Sequence, residues 1–573
     1  MDNNQAEINK GNTSIGFVVG GGLKDNLFVR LTVPAEEVQE GGFVVIKSSD
    51  WKFYGIVVDL QLGATDPRYA ENRGDSRFSP AVSRLLAQQT LYTNLVVLPS
   101  LMIESFPEFS DPDYPEWREA HPEDPGPMPI KTVPAHHSDA WLASANDVAA
   151  IFGEPGVGGN FVIGRTREQD HPVCIDLDSF VKRSAGIFGA TGSGKSFLTR
   201  MVLAGLIQRN KVAVLVYDMH NEYGFDDTSS DTGKPVAGLK GKFQSKVRVV
   251  ALGRNSTIRD HTPDFHLELH ESDIQPEDIE MLTRELNLRE TTPTTLDALV
   301  HSFGHENWFH EFKALKVGLV IENEDGKKVP APGSVAYWAN AEGVNIAAAE
   351  GLHQKLNRVF NLPYVIPDAN AVPGTNLSEV IKALQNGQHI ILSFGEYERD
   401  LDYLLVSNLL TRKIREAWEK TTNDFRSHGG KEPRPLVIAV EEAHKLLNRE
   451  MAAQTSFSTI AREMRKYYVT LLIIDQRPSQ IYDEVMSQLG TRISGSLGDE
   501  NDIAAVLSGL AGRDALRTML ARLQPKEEIL LLGWGVPMPI LVRSRRYDQA
   551  FWDELLPRKA NLSAEQSLKD LGY

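Results

Sequence analysis

Hydrophobic positions along the chain fall into three textures. Between residues 15 and 100 they come in short runs, "SIGFVVGG", "LFVRLTV", "GGFVVIK", "WKFYGIVVDL" and "NLVVLPSLMIE", separated by Gly, Asp and Ser. Short strands at regular spacing predict a small β-barrel. One helical interruption is expected near "SPAVSRLLAQQTLY", and "PGVGGNFVIGR" at 155–165 reads as the last barrel strand. From residue 171 the texture changes to strand, glycine loop, helix, strand, the order of a parallel sheet with crossover helices. Between 265 and 385 helical patterns take over, as in "IQPEDIEMLTREL" and "AAAEGLHQKLNRVF". Pro276, followed by Glu277 and Asp278, fits a helix N-terminus there. Strand–helix alternation then returns in "GQHIILSFG", "RPLVIAVEEAHKLL" and "YYVTLLIIDQRPSQI", and "EEILLLGWGVPMPILVRSRR" adds two strands.

These textures set the expected organisation. A barrel over 1–170 carries an acidic, proline-rich insert at 104–134. An α/β nucleotide-binding core follows over 171–264 and 386–548. The helical insertion of 265–385 interrupts that core, and a tail closes the chain at 549–573. The insert reads as an exposed loop or arm, or as a docking strip for a basic partner, because prolines forbid a regular helix or central strand.

Composition narrows the class. The 573 residues exceed one ordinary domain. No run approaches the roughly 18 apolar residues of a membrane span, and the N-terminus lacks a basic flank followed by an apolar stretch. Cys174 is the single cysteine, which rules out an internal disulfide and a cysteine zinc cluster and points to the cytoplasm. The net charge of -17 argues against a generally basic nucleic-acid binder. It leaves room for a locally basic surface, since local arrangement sets the field.

The stretch Gly189, Ala190, Thr191, Gly192, Ser193, Gly194, Lys195 and Ser196 fits the phosphate-loop pattern. Glycines let the backbone curl so that amides face phosphate oxygens, and the helix that follows adds its positive end. Lys195 would reach the outer phosphates of ATP, and Ser196 would hold Mg²⁺. "PLVIAVEEAHKLL" supplies the acids such a loop needs. A buried strand leads into Glu441, read as the metal-side acid, and Glu442, read as the general base, with His444 following. The plainer alternative is two acids serving a helix N-terminus. "VLVYDMHNEYG" ends another strand in Asp218 and Glu222, with His220 between them and Tyr223 just after, placing both acids near the nucleotide. Gln476 ends a third strand, where a neutral amide could sense the γ-phosphate.

Taken together, "GATGSGKS" at 189–196, "DMHNEYG" at 218–224, "EEAHKLL" at 441–447 and "IAREMRKYYVTLLIIDQRPSQI" at 460–481 resemble the HerA family of DNA-translocating ATPases. That family shares a branch with the FtsK and VirB4 motors. The resemblance runs from about residue 14 to about residue 545. Glu441 stands where many relatives carry Asp, and Asn221 where many carry Gly. The resemblance implies a RecA-like core behind a small barrel, a homohexameric ring around double-stranded DNA, and ATP at subunit interfaces. An arginine from the neighbouring subunit would complete each site, with Arg465 preferred, Arg462 and Arg477 as alternatives and Lys466 nearby; solvated helix residues are the competing reading. The basic run with Lys234, Lys240, Lys242, Lys246 and Arg248, and the segment around Arg492, are candidate DNA contacts or exposed faces. The family also implies a separate partner docked on the barrel, either a nuclease of the NurA type or a defence effector such as a sirtuin-like enzyme. A scaffold that assembles such an effector and a conjugation ATPase related to VirB4 are the other readings.

Overall fold

The computed structural model describes residues 14–557, apart from 24, 66–89, 106–115, 117, 120–125, 229–232, 255, 325, 371, 373, 453–455 and 511. Residues 79–89 of the helix expected near 79–92, and most of the proline-rich insert, lie outside the described residues, while Leu91 and Tyr92 are in a strand. The chain divides into two compact units. The first comprises Met1–Phe180, Ile187–Leu198 and Gly490–Arg546; the second comprises Val181–Gly186, Thr199–Leu489 and Tyr547–Tyr573.

The first unit begins with the barrel. Its strands are β1 (Gly16–Gly20), β2 (Leu27–Leu31), β3 (Phe43–Ser48), β4 (Trp51–Ala64), β5 (Leu91–Glu104), β6 (Met128–Pro129) and β7 (Asp139–Leu142). They pair in the order β2-β1-β7-β3-β4-β5, and β2 pairs with β5 to close a six-stranded barrel, with β6 appended to β5. Alternating residues face inward: Val44 and Ile46 from β3, Phe53 and Val57 from β4, Leu95 and Val97 from β5. Opposite Gly55 the register shifts by one residue, leaving Ser100 of β5 unpaired, and a Cβ on Gly55 would stand 2.6 Å from the Leu98 carbonyl oxygen, so only glycine fits.

"PGVGGNFVIGR" does not close the barrel. Asn160–Arg165 pairs with Pro172–Asp176 on one side and Ile540–Ser544 on the other. Ile540–Ser544 in turn pairs with Glu528–Gly533, and that strand with Thr491–Ser494, all antiparallel. The two strands expected near the C-terminus therefore form, but they group with the barrel end of the chain.

The second unit holds a wholly parallel six-stranded sheet. Its order is Phe265–Leu267, Val247–Leu252, His389–Ser393, Ala213–Asp218, Leu436–Glu441 and Val469–Asp475. The last four strands are buried at every position, which is why they read as unbroken apolar runs. The helical insertion contributes Thr292–Phe303, Trp308–Ala314, Ile346–Phe360 and Leu377–Gln385, with Trp308, Phe309, Phe312 and Leu356 buried between them. The tail is not purely polar: Gln549–Leu555 is a helix that buries Phe551 and Trp552, the latter edge-on to Phe243.

One buried ion pair ties the insertion to the 29-residue helix Asp400–His428. Arg412 donates from Nε to Asp278 Oδ1 (3.0 Å) and from Nη2 to Oδ2 (2.7 Å); Asn408 adds a third bond at 3.2 Å. Burial pushes the Asp278 carboxyl up, and Arg412 opposes that push. Arg412→Met should therefore lower unfolding stability by about 3–5 kcal/mol, because it strands a buried carboxylate. Denaturant titration of the two proteins measures this, and a change under about 1 kcal/mol would refute it.

Candidate nucleotide site

Strand Ala185–Phe188 leads through Gly189–Gly194 into helix Lys195–Arg209. The loop adopts the conformation its glycines permit: Gly192 sits at φ +78 and Gly194 at φ +91. At Gly189 a Cβ would lie 2.3 Å from Ser193 Oγ. The helix is primed by Leu198 N donating to Gly194 O at 3.1 Å.

Residues far along the chain brace the loop. Ala190 N donates to Ser496 O (2.9 Å), Gly495 N to Phe188 O (2.8 Å), and Lys526 N to Ser193 O (3.0 Å). Gly194 also approaches Lys526 so closely that a Cβ would meet its Cα at 3.3 Å. Thr191 and Gly192 remain exposed at the loop tip, whereas Lys195 is buried. A fixed curl with open space beside Gly192 suits a phosphate chain.

In the second unit, three parallel strands deliver their polar ends together. Glu441 ends Leu436–Glu441, is 2% exposed, and accepts from the Tyr223 hydroxyl at 3.2 Å. Its backbone oxygen accepts from the Tyr403 hydroxyl at 2.7 Å. Burial, followed by the neighbouring Glu441 charge, raises the Tyr223 hydroxyl far above its ordinary range, so this group stays a donor. Glu442 sits at φ +49, a left-handed conformation that a non-glycine residue adopts at a cost of about 1 kcal/mol or more. Such strain turns Glu442 off the line of the strand. Gln476 Nε2 donates to its Oε1 at 2.8 Å.

Asp218 ends the strand beside Leu436–Glu441 and accepts from the backbone amides of Glu222 (2.8 Å) and Tyr223 (2.9 Å). Burial raises its carboxyl and those two amides oppose the rise, leaving it pushed up to about 6. Arg200, on the helix after the phosphate loop, holds the same turn through Nε to Glu222 O at 3.1 Å. Asn221 lies at φ +58 and is bonded by the Ser393 hydroxyl. Asparagine and glycine are the residues that tolerate this conformation, so the departure at 221 preserves the turn.

Asp475 was missed in favour of the adjacent Gln476. It is fully buried and accepts from His444 N (2.7 Å), His444 Nδ1 (3.0 Å) and Arg477 N (2.7 Å). The signal was present as an acid closing the apolar run "LLIID". Tyr223, Tyr403 and Arg200 carried no such signal, because only the fold brings them to the acids.

The arginine candidates separate by environment. Arg462 lies on Ser456–Glu463 and pairs with Glu484 at 3.6 Å. Arg465 is exposed on the short turn Met464–Tyr467, whose Lys466 carbonyl is held by Arg426 Nη2 at 2.5 Å. Arg477 is exposed directly after Gln476.

The basic candidates also divide. Lys240 spends its ammonium on Val247 O (2.9 Å) and Asp264 Oδ1 (2.7 Å), and Lys242 stands 5.2 Å over the Trp552 ring. Lys246 is exposed. Arg492 has to be withdrawn as a DNA contact. It is 4% exposed and donates from Nη1 to Val506 O (2.5 Å) and Ser508 O (2.7 Å), and burial lowers its guanidinium to about 10. A basic residue on a buried strand serves the core.

The Ser196 hydroxyl and the Glu441 carboxylate are each hard oxygen donors of the kind that Mg²⁺ takes. Among the described residues no helix is long and apolar enough to cross a membrane.

Residues 161–414 match the family model described as "Helicase HerA, central domain". The chain is similar to the DNA double-strand break repair helicase HerA of Sulfolobus acidocaldarius, 22% identical over 93% of this chain and 94% of that one. It is likewise similar to HerA of Sulfurisphaera tokodaii, 24% identical over 93% of both chains. Among solved structures, VirB4 of Thermoanaerobacter pseudethanolicus aligns at TM-score 0.41 and 15% identity, covering 69% of this chain and 97% of that one. The plasmid coupling protein TrwB, bound to a non-hydrolysable ATP analogue, aligns at TM-score 0.44 and 14% identity, covering 71% and 94%.

Proposed function

Starting from a chain that belongs with the HerA helicases through its central domain, we propose that it is an ATP-driven translocase or helicase acting on double-stranded DNA. The observation that carries the reading is the meeting of Glu441, Glu442 and Gln476 at the carboxyl ends of parallel strands, in a chain that also carries a formed phosphate loop.

The residues take the following roles. Lys195 and the loop amides neutralise the triphosphate. Ser196 and Glu441 would hold Mg²⁺, which would supply charge neutralisation on the phosphates. Glu442 takes the proton of the attacking water, with its carboxylate aligned by Gln476, whose amide would sense the γ-phosphate. Asp218 and Glu222 shape the turn beside the site. Arg465 of a neighbouring copy stabilises the charge that develops in the transition state. DNA is held through its phosphates, without sequence readout, with exposed Lys246 among the candidate contacts.

The working assembly in this proposal is a homohexamer, with a separate nuclease or defence effector seated on the barrel. Purified protein should hydrolyse ATP several-fold faster when duplex DNA is added, and the stimulation should fade as salt rises. Lys195→Ala should abolish turnover with and without DNA. Mass measurement of the particle tests the ring. A monomer whose ATP turnover ignores duplex DNA would refute the reading.

A further inference from the structure

His444 stands inside the acid block without a step in the mechanism above, yet its placement is heavily constrained. Its backbone amide donates to Asp475 Oδ2 at 2.7 Å, and its ring Nδ1 lies 3.0 Å from the same oxygen. Its carbonyl accepts from Asn448 Nδ2 at 3.0 Å. The next residue, Lys445, is tied to Asp400 at 2.6 Å. Asp475 itself is fully buried and fixed by the Arg477 amide, so the ring is held by an immobile acceptor.

The same Nδ1 stands 3.5 Å from Glu442 Oε2. That separation exceeds a good hydrogen bond, but it puts the imidazole edge beside the carboxylate oxygen that Gln476 leaves alone. The two oxygens of Glu442 are thus flanked from opposite partners, Oε1 by Gln476 and Oε2 by His444. The bond to Asp475 is also the main cause that raises the ring above its ordinary range, with burial opposing it. His444 also lines a cleft of about 580 Å³ with Met281, Leu404 and Asn448.

We propose that His444, anchored by Asp475, is a positioning residue for ATP hydrolysis: it confines the Glu442 carboxylate to the orientation in which it meets the attacking water. The inference rests on the assignment of Glu442 as the general base. His444 moves no atom of substrate; it acts through Glu442. A misplaced base of this kind costs about a hundredfold in rate. Glycine-like freedom at residue 442 would not be compensated locally, because its backbone is already in the left-handed region.

The test uses the full-length protein, with steady-state ATP turnover, nucleotide affinity and thermal midpoint measured for each variant. His444→Ala should lower kcat about 10–100-fold while KM for ATP stays within about twofold. His444→Asn, whose amide nitrogen can take the place of Nδ1, should recover most of the loss. Asp475→Asn should reproduce the kcat effect, which covers the case in which His444→Ala fails to fold. On a Glu442→Gln background, His444→Ala should add nothing further. Wild-type kcat in His444→Ala beside an inactive Glu442→Gln would overturn this inference alone. So would equal damage from His444→Asn and His444→Ala, or a loss confined to KM. Wild-type turnover in Glu442→Gln would instead overturn the base assignment, and this inference with it.

Discussion

Glu442→Gln should bind ATP as the native chain does and hydrolyse it about 10²–10⁴-fold more slowly, the range that loss of a general base produces. The substitution is nearly isosteric. An amide oxygen at Oε1 can still accept from Gln476 Nε2, so the local bonding that holds the side chain survives. What disappears is the proton acceptor. The backbone strain at φ +49 is unchanged, so stability should stay within about 1 kcal/mol. Glu442→Gly separates the two effects. It should be as inactive as Glu442→Gln yet no less stable, because glycine adopts the left-handed region freely. Turnover assays paired with thermal melts decide the matter. If Glu442→Gln hydrolyses ATP at the native rate, the base lies elsewhere, and Glu441 becomes the first alternative.

The phosphate loop was legible because it is a local device. Its glycines, lysine and helix follow one another without a break over 189–209, and the backbone angles at Gly192 and Gly194 follow from their lack of a side chain. The parallel strands were legible for a related reason: full burial leaves an unbroken apolar run that ends abruptly in an acid. What the pattern hides is pairing between distant segments. Nothing in "PGVGGNFVIGR" reveals that Asn160–Arg165 adds to Ile540–Ser544 rather than to the barrel. Equally, nothing in the phosphate loop reveals that Ser496 and Lys526 brace it through backbone bonds.

Charge was a weaker guide than strand-end position. Lys240 and Arg492 look alike as basic residues near motifs, but Lys240 is neutralised by Asp264 and Arg492 is sunk under the carbonyls of 506 and 508. Sequence does not report who accepts a side chain's hydrogen bonds. The same gap explains why Gln476 was chosen and Asp475 passed over. Both end the strand; only the fold shows that Asp475 points at His444 and Gln476 at Glu442.

The trans-acting arginine gives the second large effect. Arg465 is exposed on a turn that is itself held rigid. Arg426, from the long helix Asp400–His428, donates to the Lys466 carbonyl at 2.5 Å, and both Arg426 and Lys466 pack over the Tyr467 ring. Arg462, by contrast, faces Glu484 at 3.6 Å, which partly neutralises it. A finger needs an unneutralised guanidinium on a fixed seat, and Arg465 meets both conditions better. Arg465→Ala should therefore lower ATP turnover about 10³–10⁵-fold in the assembled protein, with nucleotide affinity little changed. Arg462→Ala should cost less than about tenfold, as loss of a surface pair would. Mixing decides whether the arginine acts across the interface. Arg465→Ala and Glu442→Gln are each inactive alone. In a ring with head-to-tail contacts, equal amounts of the two leave about a quarter of interfaces with an intact Glu442 facing an intact Arg465. Co-assembled protein should then regain a corresponding fraction of native turnover. No recovery on mixing would place Arg465 within its own subunit's site or outside the chemistry altogether.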